Sequence, residues 1–257
     1  MRGAVVAAVA ATLLLTVAPP AHAAPGDYVW YLRNSNSAGP ASPAYTGPYD
    51  GATAFPFECD GNGDGADAPA TWREGRFYLG DLRSAAEGIA FGRATDFPIC
   101  GDWDGDGDDT VGVVRGRTFY LRHENHRRGY ISFVFGNGTE DGVVIGDWNG
   151  DGKDGIRVTR GRTFYLRNAL SSGPARHTFG YGFASDVPLA GDFDRDRKDT
   201  IAVRRGNRFY IDNTLNGGGA QYDFAYGYAT DYPVVGDWNG HGRTWGTDTV
   251  GVVRVRS

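Results

Sequence analysis

Short runs of apolar, aromatic and β-branched residues recur along the chain between clusters of Gly, Asp and Asn. Phe97 to Gly101 is an apolar run that leads into an Asp-rich loop. Thr110 to Arg115 and Thr118 to Arg122 follow, and Ile131 to Phe135 is the fourth run. Runs of this length and composition, bounded by turn residues, read as strands. The whole pattern then returns. The stretch from Cys100 reads CGDWDGDGDDTVGVVRGRTFYL, that from Ile145 reads IGDWNGDGKDGIRVTRGRTFYL, and that from Ala190 reads AGDFDRDRKDTIAVRRGNRFYI. A weaker copy starts at Cys59, and a last one starts at Val235 and resumes at Asp248 after a four-residue insertion. The leading aspartates Asp60, Asp102, Asp147, Asp192 and Asp237 are spaced by 42, 45, 45 and 45 residues. Four strands per repeat of about 45 residues predict propeller blades.

A solenoid shares this period, and the chain ends discriminate. The last repeat stops after Val250 to Arg254 and lacks its third and fourth strands. The N-terminal region carries those pieces alone, as Trp30 to Arg33 and a run near Tyr45 to Tyr49. Leu32 lies 28 residues before Asp60, against 23, 26, 26 and 26 for the matching internal distances. The expectation is an all-β, five-bladed propeller of four-stranded blades, closed by N-terminal strands that complete the last blade. Closure removes the exposed sheet ends that a solenoid must cap.

The repeat GDWDGDGDDTVGVVR and its siblings resemble the FG-GAP/VCBS repeats of secreted bacterial proteins, related to the propeller of integrin α-subunits. The resemblance covers essentially the whole chain after its first residues and implies calcium in the Asp loops. Five blades, against the seven of integrins, is a departure that bars transfer of the integrin binding surface.

The loops themselves have the chemistry of a calcium site, in which a tight turn alternates oxygen ligands. In the second loop Asp102, Asp104 and Asp106 stand at positions 1, 3 and 5, Gly107 at position 6, the carbonyl of Asp108 at position 7 and Asp109 at position 8. The first loop offers Asp60, Asn62, Asp64 and Asp67. The third offers Asp147, Asn149, Asp151, the position-7 residue Lys153 and Asp154. The fourth keeps Asp192, Asp194, Asp196 and Asp199 but places Arg195 and Arg197 where glycines stand elsewhere, so weak or no metal is expected there. In the fifth, His241 replaces the position-5 acid, and that site reads as lost. Two to four structural calcium ions are expected. The competing reading is a set of Asx-turns that need no metal. The density of carboxylates favours a cation between them.

Further features place the protein outside the cell. Ala4 to Ala18 is an apolar run behind Met1-Arg2, and Ala21-His22-Ala23 is a small-x-small cleavage pattern. Residues 1–23 read as a signal peptide and 24–257 as one propeller domain. The run is too short to span a bilayer, so no membrane insertion is expected. The net charge of −5 argues against a nucleic-acid partner. In an exported chain Cys59 and Cys100 are expected to pair, with two buried free thiols as the alternative.

A second recurrent patch precedes the first strand of the blades: Thr95-Asp96, Ser185-Asp186 and Thr230-Asp231, with Thr53 and Asp141 as partial copies. It falls on the face opposite the Asp loops, where it offers a polar ligand site, or else simple turn caps. The aromatic residues at loop position 2 (Trp103, Trp148, Phe193, Trp238) read as blade packing. The recurrent Arg73, Arg115, Arg160, Arg205 and Arg254 read as ion-pair partners of the loop acids. His123 to Arg128 reads as a solvated loop, because its histidines lie three apart after a strand.

These features favour a non-catalytic extracellular module for a protein or glycan ligand, with a multivalent lectin as its sharper form. The alternatives are a glycosidase, for which Glu58 is a lone off-pattern acid, and a structural or adhesive surface protein. The oligomeric state is not encoded in any feature of the sequence.

Overall fold

The computed structural model describes residues 6–7, 27–40, 44–50, 54–80, 88–125, 128–138, 140, 142–240 and 247–255. Strands β1 (Val6–Ala7), β2 (Asp27–Tyr31) and β3 (Ala44–Asp50) come first. Blade one is β4 (Phe55–Cys59), β5 (Ala68–Arg73), β6 (Arg76–Leu79) and β7 (Ile89–Ala90). Blade two is β8 (Phe97–Gly101), β9 (Thr110–Arg115), β10 (Thr118–Arg122) and β11 (Tyr130–Val134). Blade three is β12 (Gly142–Gly146), β13 (Gly155–Arg160), β14 (Thr163–Arg167) and β15 (His177–Gly180). Blade four is β16 (Val187–Gly191), β17 (Thr200–Arg205), β18 (Arg208–Asp212) and β19 (Tyr222–Ala225). The chain ends with β20 (Tyr232–Gly236) and β21 (Thr249–Val255), which join β2 and β3 in the order β20-β21-β2-β3. The N-terminal strands therefore complete blade five.

Every blade is an antiparallel meander. The first strands β4, β8, β12, β16 and β20 each contact the next, and β20 contacts β4, so the ring is closed. β1 adds to the first-strand edge of blade three, pairing Val6 with Val144 and Ala7 with Val143. The expected strands are present with small shifts: the run placed at Ile131 to Phe135 is a strand one residue earlier, and the first N-terminal strand ends at Tyr31 instead of Arg33.

The core follows from the alternation. First strands are buried along nearly their whole length, because each blade packs on its neighbours through both faces. Third strands alternate instead: Phe119 and Leu121 are buried while Tyr120 is half-exposed. Their buried aromatics stack across to the fourth strand, as Phe119 on Phe133, Phe164 on Phe179 and Phe209 on Phe224, at 5.4, 5.5 and 5.6 Å between centroids. The position-2 aromatics Trp103, Trp148 and Phe193 are buried, and the indole N–H groups of Trp103 and Trp238 donate to the carbonyls of Thr110 and Thr249. They are core, as read from the repeat.

Cys59 and Cys100 form a disulfide between the first strands of blades one and two, with 5.9 Å between their Cα atoms.

Candidate functional site

The Asp loops join first to second strands and gather on one face of the ring. In each, the position-1 carboxylate organises the turn by accepting backbone N–H groups. Asp102 Oδ1 accepts from Gly105 at 2.6 Å, and its Oδ2 accepts from Gly107 at 2.6 Å. Asp147 repeats this with Gly150 and Gly152, and Asp60 accepts from Asp64 and Gly65. Asp106 and Asp151 each accept the N–H two residues on, from Asp108 and Lys153, both at 2.9 Å. These bonds belong to the Asx-turn reading, and they also aim the carboxylates of positions 1, 3 and 5 at one another.

One carboxylate oxygen from each of Asp102, Asp104 and Asp106 lies within 4.8 Å of the others, and Asp192, Asp194 and Asp196 form an equal group. Burial raises the pKa of Asp104, and the neighbouring Asp106 and Asp102 raise it further. Asp192 and Asp194 are raised in the same way, burial first and neighbouring acids after. An all-oxygen cluster of mutually repelling carboxylates is a donor set that fits calcium. In the first and third loops the amide N–H₂ of Asn62 and Asn149 donates to Asp64 and Asp151, at 3.1 and 2.8 Å.

The fourth loop keeps the same turn. Arg195 and Arg197 hold φ of 72° and 67°, so the arginines adopt the turn that the glycines adopt elsewhere. Asp192 accepts from both of their N–H groups. The guanidinium of Arg195 is drawn away from the acids to Thr247 of blade five, at 2.5 Å. His241 lies outside the described residues, as do Arg243 to Gly246.

The position-8 acids do something the sequence reading did not foresee. Asp109 and Asp199 stand outside the carboxylate groups of their own loops. Instead each position-8 acid clasps the preceding blade. The N–H of Asp109 donates to the carbonyl of Asp60 at 2.8 Å, and Asp109 Oδ2 accepts the N–H of Asp60 at 3.1 Å. Asp154 does the same to Asp102, Asp199 to Asp147, Asp248 to Asp192, and Asp67 to Asp237 across the ring closure. The last acid of each loop is thus turned outward to the neighbouring blade. The glycine before four of the five position-1 acids makes room: a Cβ at Gly101 would lie 2.7 Å from Asp154 Oδ2, and one at Gly236 would lie 2.7 Å from Asp67 Oδ2; Cys59 stands in that place before Asp60.

On the opposite face, Asp96, Asp186 and Asp231 are clamped. Arg115, Arg205 and Arg254 each give two bonds of 2.6–2.8 Å to them. The same carboxylates accept the N–H of Arg93, Phe183 and Tyr228 three residues back. This corrects the assignment of those arginines to the loop acids: the second strand carries them to the other end of the blade. Each guanidinium also stacks on aromatic rings, Arg205 on Phe183 at 3.9 Å and Arg254 on Tyr228 at 4.0 Å. Thr95, Ser185 and Thr230 stand exposed beside the clamps. Thr53 and Asp141 lie outside the described residues. In blade three the capping is done by Glu140, which accepts from Asn137 and Gly138; the connection there is one residue longer, which hid it.

Glu58 is 2% exposed and its pKa is raised well above the ordinary carboxylate range, by burial first and by Asp67 second. It accepts the N–H of Val235 at the joint between blades one and five. Among the described residues no helix is long and apolar enough to cross a membrane. No family model matches the chain, and no curated protein or solved structure matches it. The chain is a five-bladed β-propeller.

Proposed function

We propose that this propeller is a secreted, non-catalytic recognition module of the FG-GAP/VCBS type. Its Asp loops hold calcium, and its opposite face takes an extracellular glycan or protein. The observation that carries the reading is the division of labour between faces. One is spent on convergent carboxylates, while the other exposes Phe183 and Tyr228 on guanidinium shelves fixed by Asp186 and Asp231. Rigid exposed aromatics with adjoining hydroxyls favour a sugar ligand. A glycan array probed with residues 24–257 tests this, and silence on plant, microbial and animal glycans overturns the glycan form.

Calcium would be held by Asp102, Asp104 and Asp106, by Asp192, Asp194 and Asp196, and by the oxygens of the first and third loops. Bound there, it neutralises the loop and fixes the turn. At millimolar calcium and an extracellular-type affinity, each site adds roughly 1 kcal/mol. Thermal unfolding in calcium and then in EDTA is expected to show a fall in melting temperature on chelation. An unchanged melting temperature means the acids are turn caps alone. The burial of Glu58, away from solvent, supports a non-catalytic protein.

A further inference from the structure

Between blades three and four lies a cavity of about 170 Å³, on the face opposite the Asp loops. Its walls include Thr159 and Phe164 of blade three, Val203 of blade four, and Tyr181, Phe183 and Ser185 of the connection between the blades. Two features mark it as built for a ligand. Tyr181 is 4% exposed, yet its hydroxyl has no hydrogen-bond partner. A buried hydroxyl left unpaired is costly and calls for a partner. Phe183, at the same cavity, is 59% exposed and rests on the Arg205 guanidinium.

Corresponding places on the other blades are filled differently. Tyr226 occupies the place of Tyr181 one blade on, but its hydroxyl donates to the Tyr31 carbonyl at 3.0 Å. Arg33 also lies over the Tyr226 ring. Phe91 and Phe135 hold that place elsewhere and have no hydroxyl, and Arg93 and Asn137 stand in place of Phe183. Among these connections, the one entering blade four alone joins an exposed ring to a buried hydroxyl without a protein partner.

We infer that this cavity is a single binding site for an uncharged pyranose residue of a glycan, an inference that rests on the recognition reading above. Phe183 supplies the ring on which a sugar's C–H face stacks, and Tyr181 donates to a ring substituent at the floor. The Asp186 carboxylate is neutralised by Arg205 and binds the Phe183 N–H, so it positions the aromatic and leaves no net charge to recruit an ion. Burial, with Asp212 and Asp186 adding to it, raises the Tyr181 pKa, which keeps the hydroxyl a donor. The site is thus monovalent, in contrast to the multivalency that the repeats suggest.

The test is saturation-transfer NMR of the full protein with the methyl glycosides of glucose, galactose, mannose, N-acetylglucosamine and fucose, in calcium. Transfer is expected for at least one glycoside. Phe183→Ala should abolish it, and Tyr181→Phe should weaken binding about tenfold, the worth of one hydrogen bond, without lowering the melting temperature. Tyr130→Ala, an exposed aromatic on the fourth strand of blade two, should leave binding unchanged. A glycoside that binds both pocket variants as well as the parent overturns the pocket and leaves the recognition reading intact. No transfer to any glycoside overturns the pocket, and the array then decides the recognition reading separately.

Discussion

At the scale of single residues, the molecule repeatedly uses one aspartate to fix several backbone groups. Asp231 is the fullest case: it is buried, paired twice with Arg254, and caps the Tyr228 N–H. Asp231→Ala strands those donors and is expected to cost about 2 kcal/mol in urea unfolding, with Asp231→Asn costing less. Such roles were half visible in the sequence. The recurrence of Asp before three of the first strands announced a cap, but its arginine partner lies 19 to 23 residues on, across two strands. Arg157 was not visible at all. It stands where Ala70, Gly112, Ala202 and Gly251 stand in the other blades, fully buried with its guanidinium 3.8 Å over Trp148. Burial pulls its pKa down to about 9, against the pull of Asp199 and Asp212 from blade four. Asp212 in turn replaces the arginine found at Arg33, Arg122 and Arg167. The exchange makes sense only when two blades are side by side.

At the scale of the loop, position 4 of one loop abuts position 7 of the next. A Cβ at Gly105 would lie 3.1 Å from Lys153, and one at Gly150 would lie 3.1 Å from Lys198. A long residue at position 7 therefore demands glycine at position 4 of the preceding blade. Before blade five the demand lapses, since position 7 there is Thr247, and Arg195 fits and bonds to it. Arg197 holds a φ of 67° that glycine holds freely. Arg197→Gly is expected to stabilise the protein by about 0.5–1 kcal/mol and to tighten calcium binding at that loop, read by urea unfolding and calcium titration. From the sequence both arginines read as opposing a metal; the seating of Arg195 was not legible, because its partner Thr247 is 52 residues away.

At the scale of the ring, strand order, blade count and closure were legible, because they depend on spacing. The clasps between blades were not, because their partners lie 49 to 170 residues apart in the chain. Those clasps place buried carboxylates at every joint. Burial raises Asp67 from 3.8 to about 8, with Asp60 and Asp237 adding to it, and raises Asp199 and Asp248 well above the ordinary range. The folded state then holds protons that the unfolded chain releases, so stability is greatest below pH about 4 for these groups and is lost as pH rises toward 8. In EDTA the melting temperature is expected to fall between pH 5 and pH 8. Asp67→Asn, which keeps an oxygen for the Asp237 N–H, should flatten that slope; an unchanged slope would show that Asp67 ionises normally.

The pairing of Arg254 with Val29 in blade five has a consequence for how the gene can be written. Arg115 with Thr118, Arg160 with Thr163 and Arg205 with Arg208 hold the same register in the other blades, each pair joined by a two-residue turn. Linking Arg254 to Val29 through Gly-Asn, the residues at Gly206-Asn207, would rebuild that turn, and opening the chain between Arg115 and Thr118 would move the seam to blade two. Such a circular permutant is expected to fold with its disulfide formed and a melting temperature close to that of the parent. The place where the polypeptide starts would then be a choice of cut, and any of the hairpins of this register becomes a site for fusing a second domain.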